Sequence, residues 1–149
     1  MSASPSIDAA DPADLPAIRA LLRDAGLPVD DLTGGDPVRF WLIRDASGPI
    51  GTIALERYED VALLRSLAVR SDHRGEGLAR ALVLHAERQA TAEGIRSLYL
   101  LTTTASDLFA RLGYERIART QAPEAAQRTA QFRSLCPDSA VCRVKHLGT

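Results

Sequence analysis

Apolar positions along this chain fall into short runs parted by turns of Gly, Pro, Asp and Ser, and the runs follow two different periods. From Ala62 to Val69 (ALLRSLAV) the run is continuous apart from a basic interruption at Arg65, the pattern of a strand covered on both faces. A polar turn, RSDHRGEG, follows it. Beyond the turn, Leu78, Ala81, Leu82, His85 and Ala86 recur at helical spacing, so the stretch to Glu93 predicts a helix with one apolar face.

The rest of the chain reads in the same way. Ser6 to Ala10 is expected to form an edge strand. Asp11 and Pro12 then open a helix whose stripe is Leu15, Ile18, Leu21 and Leu22, with Gly26 as its stop. Arg39–Arg44 and Ile50–Tyr58 predict strands joined by a hairpin turn at Asp45–Pro49, and Glu59-Asp60 turns the chain into the buried strand, making an antiparallel meander. Gly94 ends the long helix. Ser97–Leu101 predicts a strand parallel to Ala62–Val69, because a helix connects them. Thr102 to Thr104 would cap a helix over Ala105–Leu112, Gly113 would end it, and Tyr114–Arg119 would return as a strand. A helix over Pro123–Phe132 and a last strand over Val141–Lys145 complete the reading.

Composition narrows the function classes. A chain of 149 residues is expected to form a single domain, 1–149, with room for a core. A net charge of −1 argues against general attraction to nucleic acid. No apolar run approaches the roughly 20 residues that a membrane span needs. The N-terminal stretch lacks the basic and apolar regions of a signal peptide, so Cys136 and Cys142 are expected as reduced thiols in the cytoplasm. His73, His85 and His146 show no metal-ligand spacing, and two cysteines lack a third ligand, so no metal is expected.

The turn before the long helix has chemical use. The first N–H groups of a helix lack internal partners and carry about half a positive charge. Gly75 and Gly77 would let a ligand reach the backbone, and Arg74 adds a cation. Together they suit a phosphate or pyrophosphate. The Gly-Lys-Ser/Thr of a Walker A loop is missing, and Arg80 stands where a dinucleotide fingerprint needs its third glycine.

Arg74-Gly75-Glu76-Gly77-Leu78-Ala79 resembles the Arg/Gln-x-x-Gly-x-Gly/Ala motif with which the GNAT N-acetyltransferase superfamily binds the pyrophosphate of acyl-CoA. Leu67-Ala68-Val69 resembles that family's pantetheine-binding strand, and Leu108 to Tyr114 (LFARLGY) resembles its FYxxLGF hallmark. The resemblance implies an α+β fold of α/β/α layering: a central mixed, mostly antiparallel sheet with one splayed parallel pair and helices on both faces. It implies acetyl-CoA as cosubstrate, bound by these residues and Phe109, and direct attack by an acceptor amine in a ternary complex. The segment Leu27 to Asp36 would line the acceptor pocket or stand as a solvated loop.

Two residues that many members use for proton transfer differ here. Phe109 replaces the tyrosine acid, and Leu63 and Leu64 stand where a glutamate base is common. Glu56 could substitute as base or be a surface carboxylate near Arg57; Ser66 and Ser106 could donate to sulfur or acceptor, and Tyr99 more naturally packs. Cys136 could border the acceptor pocket or be packing. Arg65 is either half of an internal ion pair with Glu56, Glu59 or Asp60, or a clamp for an anionic acceptor group, with Arg39 and Arg57 as assistants.

A narrower resemblance joins Leu64-Arg65-Ser66-Leu67 and Thr102–Ala105 with the tail Ala122-Pro123-Glu124 and Phe132–Ala140. It is to the bacterial arsenic-resistance-operon N-acetyltransferases, and implies a small-molecule amine, amino-acid-like, arsenical or phosphinic, as partner. Assembly as a homodimer stays an open expectation.

Overall fold

The computed structural model describes residues 6–27, 38–103, 105–129, 132 and 140–147. Four strands, β1 (Ile7–Ala9), β2 (Val38–Asp45), β3 (Gly48–Tyr58) and β4 (Val61–Val69), pair antiparallel in chain order. Local chemistry makes the tight turns between them. Asp45 Oδ1 accepts from the Ser47 N–H at 2.8 Å, and Gly48 takes a φ of +113°, an Asx-type reversal. Between β3 and β4, Glu59 adopts φ 58°, a conformation that so short a connection demands.

The unbroken apolar run in β2 reflects cover on both faces. Phe40 and Leu42 pack with Ile18 and Leu22 of α1 (Leu15–Asp24). Trp41 and Ile43 face the other way, in the cluster that holds Leu82, Val83, Ala86 and Ala90 of α2 (Leu78–Ala92). Close approach of α2 depends on Gly51, where an added Cβ would stand 3.2 Å from Leu82 Cδ1.

α2 returns the chain to β5 (Ser97–Thr102), which lies parallel to β4. β5 also pairs with β7 (Val141–His146), and β7 pairs with β6 (Glu115–Ile117). The seven-stranded order is β1-β2-β3-β4-β5-β7-β6. Between β5 and β6 lies α3 (Ser106–Arg111); Thr102 Oγ1 accepts from the Ala105 N–H at 2.9 Å just before it. The expected architecture is therefore present: a mixed, mostly antiparallel sheet, one parallel pair, and helices on both faces.

Three elements differ from expectation. The first helix begins as a 3-10 turn, Pro12–Asp14, because Asp11 and Asp14 satisfy each other's backbone N–H groups in a capping box. Of the helix expected over Pro123–Phe132, the described residues form an α-helix over Glu124–Gln127, which we label α4. Just past it, Thr129 Oγ1 donates to the Ala126 carbonyl at 2.7 Å and accepts from the Phe132 N–H at 3.3 Å. A side chain that competes for backbone partners in this way disfavours helix. The strand expected over Tyr114–Arg119 shortens to Glu115–Ile117, and Arg119–Gln121 form a 3-10 turn.

Candidate active site

The parallel pair β4–β5 is registered at Val61–Ser97, Ala62–Leu98 and Leu63–Tyr99. Beyond that point the strands part: β4 stays with β3 as far as Val69, while β5 follows β7 to Thr102. The splay thus starts after Leu63, so that β4 has shifted away from β5 before it reaches Leu67–Val69. A bulge explains the shift. Thr52 pairs with Ala68 and Ala54 with Arg65, so Ile53 faces both Ser66 and Leu67. Ser66 sits at φ 59° and is buried, and an extra residue bends its strand out of the ladder. Leu67, Ala68 and Val69 consequently line one wall of an opening in the sheet. Ala68 packs toward α1, while Leu67 and Val69 pack on the α2 side.

At the end of that wall stands the glycine turn. Gly75 and Gly77 have φ of +84° and +77°, and a Cβ on either would meet nothing within 4 Å. Glycine is required there by the backbone angle, and the space in front is free for a ligand. Gly77 is the N-cap of α2 and supplies no side-chain cap, so the amides of Leu78 and Ala79 at the helix start are open to an anion. Leu78 itself anchors the turn by burying its side chain. Arg74 is exposed and donates through Nε to the Val69 carbonyl at 3.4 Å. It borders a cavity of about 360 Å³ that reaches to Leu21, Asp24 and Ala25 at the end of α1.

The sequence did not announce how this loop is held. Arg70 donates to Ser47 Oγ and to Asp72 Oδ2, each at 2.7 Å. His73 reaches Asp45 Oδ2 at 3.1 Å through Nε2 and Glu76 Oε1 at 3.2 Å through Nδ1. The β2–β3 turn is thereby tied to the glycine loop. Glu76, Asp72 and Asp45 all hold the His73 pKa above its ordinary value, the hydrogen bond from His73 to Glu76 most strongly.

Across the sheet lies a buried polar group. Arg65 Nη1 donates to Glu56 Oε1 at 2.8 Å, with none of the Arg65 side chain exposed. Arg65 Nε reaches Ser66 Oγ at 3.3 Å, and the Tyr58 hydroxyl donates to Glu56 Oε2. Of the two readings of Arg65, the internal ion pair is the one present, and both oxygens of Glu56 are engaged. Arg65 shares a strand face with Leu63, which packs with Ala122, Ala126, Phe132 and Cys142.

Arg39 does not join this group. It lies on the α2 face, bound to Glu93 at 2.5 Å and stacked 5.2 Å from the Trp41 ring. Arg57 shares the same Glu93. Phe109 turns into the core against Tyr114, with ring centroids 5.2 Å apart. Ser106 Oγ accepts from Arg143 Nε at 3.0 Å. Tyr99 packs beside Leu63 and Cys142, and burial pushes the Cys142 thiol up to about 11. Cys136 and the Leu27–Asp36 segment beyond Leu27 lie outside the described residues. Among the described residues no His, Cys, Asp and Glu cluster suits a metal, and no helix is long and apolar enough to cross a membrane.

Known proteins share this arrangement. A family profile described as an Acetyltransferase (GNAT) domain matches residues 36–116. An uncharacterized N-acetyltransferase of Chlorobaculum tepidum is 33% identical over 107 residues, which are 70% of this chain and 66% of that protein. The chain thus spans just under two thirds of that relative's length. The N-acetylglutamate synthase of Neisseria gonorrhoeae, solved with coenzyme A and N-acetyl-glutamate, matches all of this chain with 36% of its own, at a TM-score of 0.83 and 22% identity. The ribosomal-protein-S18-alanine N-acetyltransferase of Escherichia coli matches 97% of this chain with 94% of its own, at a TM-score of 0.76 and 20% identity. The two structures share the fold; the profile, which covers the wedge, the glycine loop and α2, carries more, and with it the chain belongs to the GNAT acetyltransferase family.

Proposed function

We propose that this protein transfers an acetyl group from acetyl-CoA to the amine of a small molecule. The observation that carries the reading is the turn at Gly75 and Gly77. Two positive-φ glycines with free space before them open an uncapped helix beside Arg74, at the end of the strand that has left its parallel partner. A diphosphate fits that set of donors, because amides and a guanidinium are what an anion of fixed shape requires. The Neisseria gonorrhoeae structure, solved with coenzyme A, supports the same ligand.

Acetyl-CoA, when bound, supplies the activated thioester that the acceptor amine attacks. The chain's own contribution is binding and orientation. Arg74 and the amides from Gly75 to Ala79 hold the diphosphate, and the Leu67–Val69 wall directs the acyl arm into the wedge. Main-chain donors on that wall suit a developing oxyanion. Phe109 has no proton to give, and Glu56 is committed to Arg65 and Tyr58. Proton transfer from the acceptor therefore falls to water, with Ser66 as the polar side chain at the bulge.

For the acceptor we propose an amino-acid-like amine, with arsenical and phosphinic relatives included because of the subgroup resemblance. The Neisseria gonorrhoeae structure was solved with N-acetyl-glutamate, an acetylated amino acid, whereas the Escherichia coli neighbour is a ribosomal-protein-S18-alanine N-acetyltransferase. The test is calorimetry with CoA, followed by thiol release from acetyl-CoA over free amines, amino acids, arsenicals and alanine-ended peptides. Gly77→Asp and Arg74→Ala should each weaken CoA binding by about tenfold or more. Turnover of peptides alone would transfer the proposal to protein substrates, binding without any turnover would make the protein an acyl-CoA sensor, and no binding would overturn it.

A further inference from the structure

His73 lies between two carboxylates that come from different parts of the chain. Asp45, at the end of β2, meets Nε2 at 3.1 Å; Glu76, inside the glycine loop, meets Nδ1 at 3.2 Å. A neutral imidazole has one N–H and can satisfy one acceptor, whereas an imidazolium donates from both nitrogens. The Glu76 contact is a hydrogen bond and the Asp45 contact an ion pair, and only the cation is attracted to both carboxylates. The charged groups around it are Asp45 from the β2–β3 turn, and Asp72 and Glu76 from its own loop. Arg70 sits beyond, bound to Asp72 and to Ser47.

We propose that His73, as an imidazolium bridging Asp45 and Glu76, is a positioning residue for the cosubstrate diphosphate. It cancels the Glu76 carboxylate at the rim of the cradle and fixes the glycine loop against the β2–β3 turn. The proposal rests on the acetyl-CoA reading and adds a residue to it. Glu76 is an odd choice beside an anion site, since a carboxylate there repels the diphosphate. His73 offsets that repulsion only while protonated. When it loses its proton, one of its two contacts is lost and the rim becomes more negative. CoA binding to this loop is consequently coupled to proton uptake near neutral pH.

The experiment is calorimetry on the full chain with CoA, at about pH 6 and about pH 8.5, across the range where histidine titrates. The cosubstrate's own terminal phosphate titrates at about pH 6, so each profile is read against His73→Gln. Wild type should weaken by about three- to tenfold more than His73→Gln between the two values. His73→Lys should keep the tight binding at the higher pH, because its charge persists there. Glu76→Gln should bind CoA more tightly than wild type at the higher pH. Identical profiles for wild type and His73→Gln would overturn the proposal. So would equal losses in the Gln and Lys variants at both values, which would mark a merely structural role. Failure of wild type to bind CoA at either value would overturn the acetyl-CoA reading and this inference with it, whereas the first two outcomes leave that reading standing.

Discussion

Arg65 of β4 reaches diagonally to Glu56 of β3 at 2.8 Å, and the guanidinium side chain is wholly out of solvent. A buried pair of this kind is expensive to break from one side, because the survivor is left charged without its counter-ion. Arg65→Ala or Glu56→Ala should each lower stability by about 3–5 kcal/mol. The double replacement Glu56→Leu with Arg65→Met should cost clearly less than the sum. Urea unfolding of the four proteins measures this directly. A double loss equal to the sum of the two single losses would show that the pair is not energetically coupled.

Ser66 makes a prediction of the opposite kind. Its φ of 59° is strained for a residue with a Cβ. Glycine normally weakens a strand, yet at this site Ser66→Gly should be more stable than Ser66→Ala by about 1 kcal/mol. Alanine keeps the strain and also loses the oxygen that Arg65 Nε reaches. Thermal melts of both variants decide the matter; alanine at or above glycine would mean that the bulge has changed shape.

His85 provides a pH dependence with a definite sign. It lies mid-helix on α2, edge-on to Trp41, with ring centroids 5.9 Å apart. Its Nε2 is buried and lacks a hydrogen-bond partner among the described residues. Burial, with Arg88 nearby, pushes its pKa below the ordinary 6.5. The folded state prefers the neutral ring, so the unfolded chain takes up the proton first as pH falls through that value. Stability from this site is present above it and is lost below it. His85→Leu should therefore gain relative to wild type at acid pH more than at alkaline pH, read from urea midpoints. A constant difference across pH would assign the effect to packing alone.

The parts that were legible in the sequence are those with short-range causes. The β4 run, the glycine turn and the α2 stripe each state their conformation within a few residues, and they were found in place. The bulge was hidden because a serine occupies a position where glycine would have signalled it. The ion pair between His73 and Asp45 was equally hidden, since β3 and β4 lie between the two in sequence and only the folded sheet brings them together. Arg39 misled for a related reason. Its residue type suits an anion, but the register of β2 turns it to the α2 face and to Glu93. Among the described residues the C-terminal α-helix stops at Gln127, where periodicity could not register the competing hydroxyl of Thr129.

Glu93 has a mechanical meaning for the far end of the same helix. It closes α2 and is gripped by Arg39 from β2 and Arg57 from β3. α2 is a rod of about 22 Å by its residue count, footed on the meander at one end and exposing bare amides at the other. A load applied to those amides runs down the axis into strands that pair with one another, instead of shifting the rod along the sheet. The diphosphate end of the ligand and the wall that guides its acyl arm are in that way parts of one stiff frame.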